Sequence, residues 1–209
     1  MYIPQWFEEK RVSVLHVWIR SHPFATIVTL QGSGLAATHV PVVLHDEGSE
    51  FGVLRGHIAR ANRQWRDLTG AVDALAIFSG VDHYISPSYY PAKQEGGRVV
   101  PTWNYAVVHA SGPFLVHEDP AWLLRHLNTL VDRHEAGSAV PWKVSDAPRD
   151  YVEAQLKAIV GVEIPIRRLE GKWKVSQNRS ERDRQGVSEG LAALGTPESL
   201  AMKALVDDR

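Results

Sequence analysis

Cysteine is absent from the 209 residues. That excludes disulfides, thiolate metal sites, iron–sulfur clusters and thiol nucleophiles together, and it fits a reducing compartment. Net charge is nearly absent as well: 23 Lys and Arg against 24 Asp and Glu leave −1. No global positive field therefore exists to hold a nucleic-acid backbone or an anionic membrane, and any DNA contact has to be local. No stretch reaches the roughly 18 uncharged apolar residues that a membrane span needs. The opening MYIPQWFEEKR turns acidic at Glu8 and Glu9, where a signal peptide would be apolar. A soluble cytoplasmic protein without a membrane partner is expected. Repeats, low-complexity tracts and long Gly/Ser/Pro linkers are missing too, so one domain over residues 1–209 is the simplest organisation. What is present, 44% apolar and 22% charged residues, is an ordinary globular mixture with enough chain to bury a core.

Several catalytic signatures are also missing. There is no GxxxxGK[ST] loop, no GxGxxG opening a helix, no HExxH, and neither Ser33 (GSG) nor Ser111 (ASG) forms a GxSxG elbow. The ten histidines invite a metal reading, but their spacings do not support one. His126 and His134 are separated by roughly 12 Å of helical rise. His109 and His117, on one extended strand, would lie about 26 Å apart. No metal is expected.

The periodicity predicts a mainly β protein with peripheral helices. Pro4 can open a helix running to about His22, with Phe7, Val14, Leu15, Trp18 and Ile19 on its apolar side and Pro23 ending it. Six β-rich runs follow as far as Glu118: ATIVTL, LAATHVPVVLH, FGVLRGHI, ALAIFSG, HYISPSYY and VVPTWNYAVVHASGPFLVHE. A helical insertion at about 119–160 comes next. Asp119 is its expected N-cap, Pro120 its first residue, and a second helix after Pro148 is expected to end on Gly161. The chain returns to one strand in GVEIPIRRLEGKWKVSQ, and Thr196 and Pro197 open a terminal helix with Leu200, Leu205 and Val206. Consecutive strands without room for crossover helices favour a small antiparallel barrel over a parallel βαβ sheet.

Three segments combine unusual chemistry. In GHIARANRQW (56–65) a strand runs into a turn, and His57, Arg60 and Asn62 bring an imidazole, a guanidinium and an amide together there, a set suited to a phosphate. A solvated strand end with Asn62 as a plain N-cap explains the same residues equally well. In VPTWNYAVVH (100–109) period-two alternation sorts Thr102 and Asn104 onto one face and Trp103 and Tyr105 onto the other, with aromatic strand residues ordinarily core. SPSYY (86–90) adds Ser86, Ser88 and two tyrosines. In RRLEGKWKVSQNRSERDRQG (167–186) seven cations stand against three acids, a local charge of +4. Such a run is ordinarily a solvated face, yet Trp173, Lys174, Gln177, Asn178 and Arg179 also suit a flat, polar, anionic ligand.

On MYIPQWF, HPFATIVT (22–29), GHIARAN, YISPSYY (84–90), VPTWNY and WKVSQNRSERDRQGVSEGL (173–191), the chain resembles the PaiB-type family of FMN-binding negative transcriptional regulators, within the flavin split-barrel superfamily. It departs from the family pattern at Arg63, Val81 and Tyr89. The resemblance implies an FMN-binding split β-barrel, a six-stranded antiparallel Greek-key barrel, assembled as a homodimer with FMN at the subunit interface. It implies cofactor contacts from Thr38, His57, Arg60, Asn62, Ser86, Ser88, Thr102, Trp103, Asn104, Lys174, Gln177, Asn178 and Arg179. It says less about reaction, because fold-level analogy spans several activities. Negative regulation of transcription, directly or through a partner, is the expectation from the family. A flavin-dependent oxidoreductase, or a haem- or flavin-handling protein without turnover, is the alternative. No basic recognition helix is visible, so only the +4 segment supports DNA as a partner.

Overall fold

The computed structural model describes residues 1–68 and 72–209. Its elements in chain order are β1 (Glu8–Glu9), α1 (Val12–Ser21), β2 (Phe24–Gln31), β3 (Gly34–His45), β4 (Val53–Ala59), β5 (Ala74–Ile85), α2 (Ala92–Gly96), β6 (Thr102–Gly112), β7 (Leu115–His117), α3 (Pro120–Glu135), α4 (Arg149–Lys157), β8 (Ile159–Pro165), β9 (Arg168–Lys174), α5 (Glu181–Leu194) and α6 (Pro197–Asp207). Strands and helices form two compact units. The first comprises residues 1–15, 79–108 and 170–209, and the second residues 16–78 and 109–169.

In the second unit the strand order is β5-β2-β3-β4-β8-β7. Strands β2 and β3 form a hairpin from Phe24↔Pro41 to Gln31↔Gly34, and β4 lies antiparallel on β8 from Val53↔Pro165 to Ala59↔Ile159. Alternation works as the sequence predicts: Ala25, Ile27 and Thr29 of β2 are buried while their neighbours are not. Helix α3 starts where expected, with the Asp119 carboxylate accepting from the N–H groups of Ala121 and Trp122 and Pro120 in the first turn. Helix α4 ends at Ala158, and Gly161 lies inside β8. Glycine is needed at 161 for close approach, since a Cβ there would stand 2.2 Å from Trp122 Cζ3. The ring of α3 therefore sits directly on the β8 backbone.

In the first unit the order is β1-β9-β6-β5. The helix expected from Pro4 to His22 is interrupted. A 3-10 turn covers Gln5–Phe7, β1 follows, and α1 begins only at Val12. The cause is Glu9, whose side chain is 4% exposed. Its backbone pairs with Gly171 of β9, and its carboxylate binds Arg11 at 2.6 Å and Arg209 at 2.9 Å. A buried carboxylate needs such partners, and a helix through this point would lose the strand pairing. Four further expectations need correction. ALAIFSG and HYI are one continuous strand, β5, and SPSYY instead makes a 3-10 turn over Pro87–Tyr89 with Ser86 as its cap. GVEIPIRRLEGKWKVSQ is two strands broken after Pro165. Part of the basic run is helix α5, which is N-capped by Ser180 and packs Val187 and Leu191 inward. Leu200 of α6 is exposed, and Met202 and Val206 carry its buried face. The class is thus mainly antiparallel sheet with helices, with nine strands among the described residues where six were expected.

Glu9 sets a pH dependence. The hydrogen bond from Arg11 first, then Arg209, outweighs burial and lowers its pKa from 4.5 to about 2. A depressed carboxyl contributes stability that is present above its unfolded pKa and is lost as pH falls through the folded value. Glu9→Gln should cost about 2–3 kcal/mol at neutral pH. In urea denaturation the gap from wild type should shrink between pH 4.5 and pH 2; a gap that stays constant with pH would contradict this role.

Candidate functional site

In the second unit β4 delivers the GHIARAN segment, and Arg60 prolongs its pairing with β8. The Arg60 N–H donates to Ala158 O at 2.8 Å, Nε to Lys157 O at 2.9 Å and Nη2 to Ile159 O at 3.1 Å. Its remaining arm, Nη1, forms an ion pair with the exposed Glu118 carboxylate. The guanidinium lies 5.9 Å from the centre of the Trp65 ring, whose Nε1 donates to Arg60 O at 3.0 Å. Asn62 is the N-cap of a 3-10 turn over Arg63–Trp65: its Oδ1 accepts from Gln64 N, and its Nδ2 donates to Thr38 Oγ1 of β3, both at 2.9 Å. Asn62 is thus the cap that the plain reading expects, and it meets the Thr38 hydroxyl of β3, while the Arg60 guanidinium is turned to Lys157, Ile159 and Glu118. His57 has its Nδ1 at 3.2 Å from His126 Nε2 of α3.

Gln64 escaped the sequence reading. It is 3% exposed, and its Nε2 reaches Ile27 O, Thr29 Oγ1 and Ala36 O at 3.0–3.3 Å, tying the turn to the β2–β3 hairpin. A single polar residue in a turn carries no periodic signal, so nothing in the sequence marks it as buried.

In the first unit β6 and β9 bring Thr102, Trp103 and Lys174 together, and Ser86, Ser88, Gln177 and Asn178 are not joined to them by a hydrogen bond among the described residues. Lys174 Nζ donates to Thr102 Oγ1 and, at 2.6 Å, to Trp103 O. No carboxylate pairs with it among the described residues. Burial first, and then the neighbouring charges of Lys172 and Arg179, pull its pKa below the usual lysine range. Asn104 is fully buried and the aromatics sorted to the opposite face are not: Trp103 is 54% exposed. This reverses the expectation that the aromatic pair is core. The reason is Ser176, also buried, whose Oγ accepts from Asn104 Nδ2 at 2.9 Å. Ser176 has φ +68°, a left-handed conformation unusual for a residue with a Cβ. That turn places Gln177, Asn178 and Arg179. The Gln177 amide is folded back, accepting from Val175 N at 2.8 Å and donating to Trp173 O. Asn178 is exposed and Arg179 lies over the Tyr90 ring at 5.0 Å. Ser86 caps the SPSYY turn by accepting from Ser88 N, and Ser88 Oγ accepts from Lys93 Nζ, both at 3.2 Å.

Residues 1–168 match the family described as "Putative FMN-binding domain". The chain belongs to this family. Over its whole length it is 31% identical to the protease synthase and sporulation protein PAI 2 of Bacillus subtilis, covering 98% of that protein. It is 34% identical to the uncharacterised protein AN0679 of Emericella nidulans, covering all of this chain and 97% of that one. The PaiB-type resemblance carried by the motifs therefore holds, and FMN is the cofactor that this family membership assigns. Two solved structures share the fold at TM-scores of 0.58 and 0.59, both at 15% identity. They are the FAD and haem binding protein of Mycobacterium smegmatis, covering 80% of this chain and 73% of that one, and the flavocytochrome Anf3 of Azotobacter vinelandii, covering 82% and 72%.

The buried amide–hydroxyl pair is testable apart from any ligand. Asn104→Ala and Ser176→Ala should each destabilise by about 1–3 kcal/mol, because each leaves a buried polar group without its partner. The double variant should cost less than the sum by about 1 kcal/mol. Strict additivity in chemical denaturation would show that the pair is not coupled.

Proposed function

We propose that the chain is an FMN-holding protein of the PaiB type that acts in negative regulation of transcription through a partner. The observation that carries the cofactor reading is Lys174: a partly buried cation held by a hydroxyl and a carbonyl, with no carboxylate beside it. The donor chemistry fits FMN. Arg60, Asn62 and Thr38, with His57 earlier on the same strand, offer a guanidinium, an amide and a hydroxyl, as a phosphate monoester requires. Lys174, Asn178, Gln177 and Arg179, with Thr102, Trp103, Asn104, Ser86 and Ser88, offer cations, amides, hydroxyls and an indole, as a flat ring edged with carbonyls requires. Bound there, the flavin would supply reversible uptake of electrons, and a cation such as Lys174 would favour negative charge on the reduced ring. The Glu118 arm of Arg60 is the one a phosphate would replace, since an exposed ion pair contributes little.

The assembly we infer is a homodimer in which the Lys174 set of one chain completes the Arg60 set of the other. A small barrel filled by its own side chains has no interior room for a three-ring ligand, so the ring must be covered from outside. Action through a partner is preferred because the net charge is −1 and no basic recognition helix is visible, so only the local +4 run could face DNA.

Arg60→Ala should weaken FMN at least tenfold in fluorescence titration, the loss of one charge-assisted bond. Glu118→Gln, which frees the same arm, should not weaken it. Mixing an Arg60→Ala chain with a Lys174→Ala, Arg179→Ala chain should restore, in one site per heterodimer, the tight FMN binding that both parents have lost. If mixing restores nothing while both parents remain folded and dimeric, the shared-site model fails.

A further inference from the structure

Two segments that are far apart in the sequence, SPSYY (86–90) and KVSQNR (174–179), meet in the first unit through one aromatic ring. Tyr90 ends the 3-10 turn over Pro87–Tyr89, with its N–H donating to Pro87 O at 3.2 Å, and the residue is 2% exposed. Helix α5 holds this turn closely. A Cβ at Gly186 would stand 2.1 Å from Tyr89 O, and one at Gly190 2.3 Å from Tyr89 Cδ1, so the approach depends on glycine at both positions. On the same helix Asp183, 8% exposed, accepts from Ala92 N at 3.2 Å. Tyr90 is therefore fixed through the residues on either side of it, and a ring buried in such packing is a rigid platform.

What the platform carries is Arg179. Its guanidinium carbon lies 5.0 Å from the centre of the Tyr90 ring, the residue is half-buried, and its N–H donates to Ser176 O at 2.9 Å across the left-handed turn. Two later arginines of the same run are held differently: Arg182 pairs with the Glu95 carboxylate, and Arg184 gives an N–H to the Arg209 carbonyl. No carboxylate pairs with Arg179 among the described residues. The Tyr90 hydroxyl is buried without a hydrogen-bond partner, so what this tyrosine offers the cation is the face of its ring. A ring face attracts a cation through its quadrupole. Unlike a carboxylate or a carbonyl, it takes up none of the N–H donors and neutralises none of the charge.

We propose that Tyr90 is the positioning residue for Arg179: its ring holds the guanidinium in place, charged and with donors to spare, for the electron-rich edge of the flavin. This role rests on the reading that Arg179 contacts FMN. Tyr90 itself is too deeply buried to touch the cofactor. A long side chain that must be immobilised when ligand arrives weakens binding, and the ring removes that cost by ordering Arg179 beforehand. The hydroxyl takes no part, so phenylalanine serves equally well. SPSYY then contributes this buried ring in addition to the Ser86 and Ser88 hydroxyls proposed to face the flavin.

Three variants are compared by FMN fluorescence titration, with thermal unfolding to confirm that each is folded. Arg179→Ala should weaken FMN at least tenfold. Unchanged affinity there would remove Arg179 from the flavin set, and the underlying reading would fall with it. Tyr90→Phe should bind as the wild type does. The same Tyr90→Phe chain with its ring pentafluorinated keeps nearly the same shape but reverses the charge of the ring face. It should weaken FMN about three- to tenfold, and should add nothing in the Arg179→Ala background. In the unliganded protein, NMR should show a ring-current shift on the Arg179 side chain in Tyr90→Phe that is lost on fluorination. With Arg179 still needed for FMN, the positioning role is overturned if Tyr90→Phe and its fluorinated form bind FMN alike, or if fluorination weakens binding as much without Arg179 as with it.

Discussion

The antiparallel ladder between β4 and β8 is the constraint on which the second unit depends. Seven residues of β4, Val53 to Ala59, lie on seven of β8 that are about a hundred positions away in the chain. Arg60 extends the ladder with three bonds of its own to the residues around the start of β8. Side chains alternate across a strand, so this one register fixes several placements together. Arg55 and His57 fall on the face that meets Glu163 and His126, while Leu54, Gly56 and Ile58 are buried on the other. A slip of one residue would exchange the faces. It would also move Gly161 from under Trp122, where no larger residue fits.

The first unit solves a different problem, which is to hold polar groups at low exposure by pairing them. Asn104 and Ser176 satisfy each other, and Glu9 has two arginines. Lys174 is the exception: its partners are a hydroxyl and a carbonyl, no carboxylate pairs with it among the described residues, and burial first, then Lys172 and Arg179, lowers its pKa. A partly buried cation of this kind is the feature on which our proposal of an electron-rich ligand rests. The strained conformation at Ser176 belongs to the same arrangement, because it turns the chain so that Gln177, Asn178 and Arg179 follow Lys174 directly.

Local chemistry was legible in the sequence where a residue acts within a few positions of itself. Asp119 and Pro120 announced α3, and alternation announced β2, β3 and the two-faced sorting of 102–105. Long-range pairing was not legible. Glu8 and Glu9 read as helix because nothing nearby reveals that Lys172 and Gly171 will pair with them. Gly161 read as a cap because its role belongs to Trp122, and the bond between Asn104 and Ser176 joins residues 72 positions apart. The same limit applies to the histidines. Their sequence spacings excluded chelation by neighbours, but only the fold brings His57 of β4 to His126 of α3.

The family membership assigns FMN to this chain, and the Lys174 and Arg60 segments are where we propose that it is held. The most direct test is the absorption spectrum of the purified protein, before and after incubation with FMN and removal of unbound ligand. The account predicts flavin bands in the near-ultraviolet and blue at a stoichiometric level. A protein that stays colourless after incubation would contradict it, as would one that shows a haem Soret band and takes up no flavin.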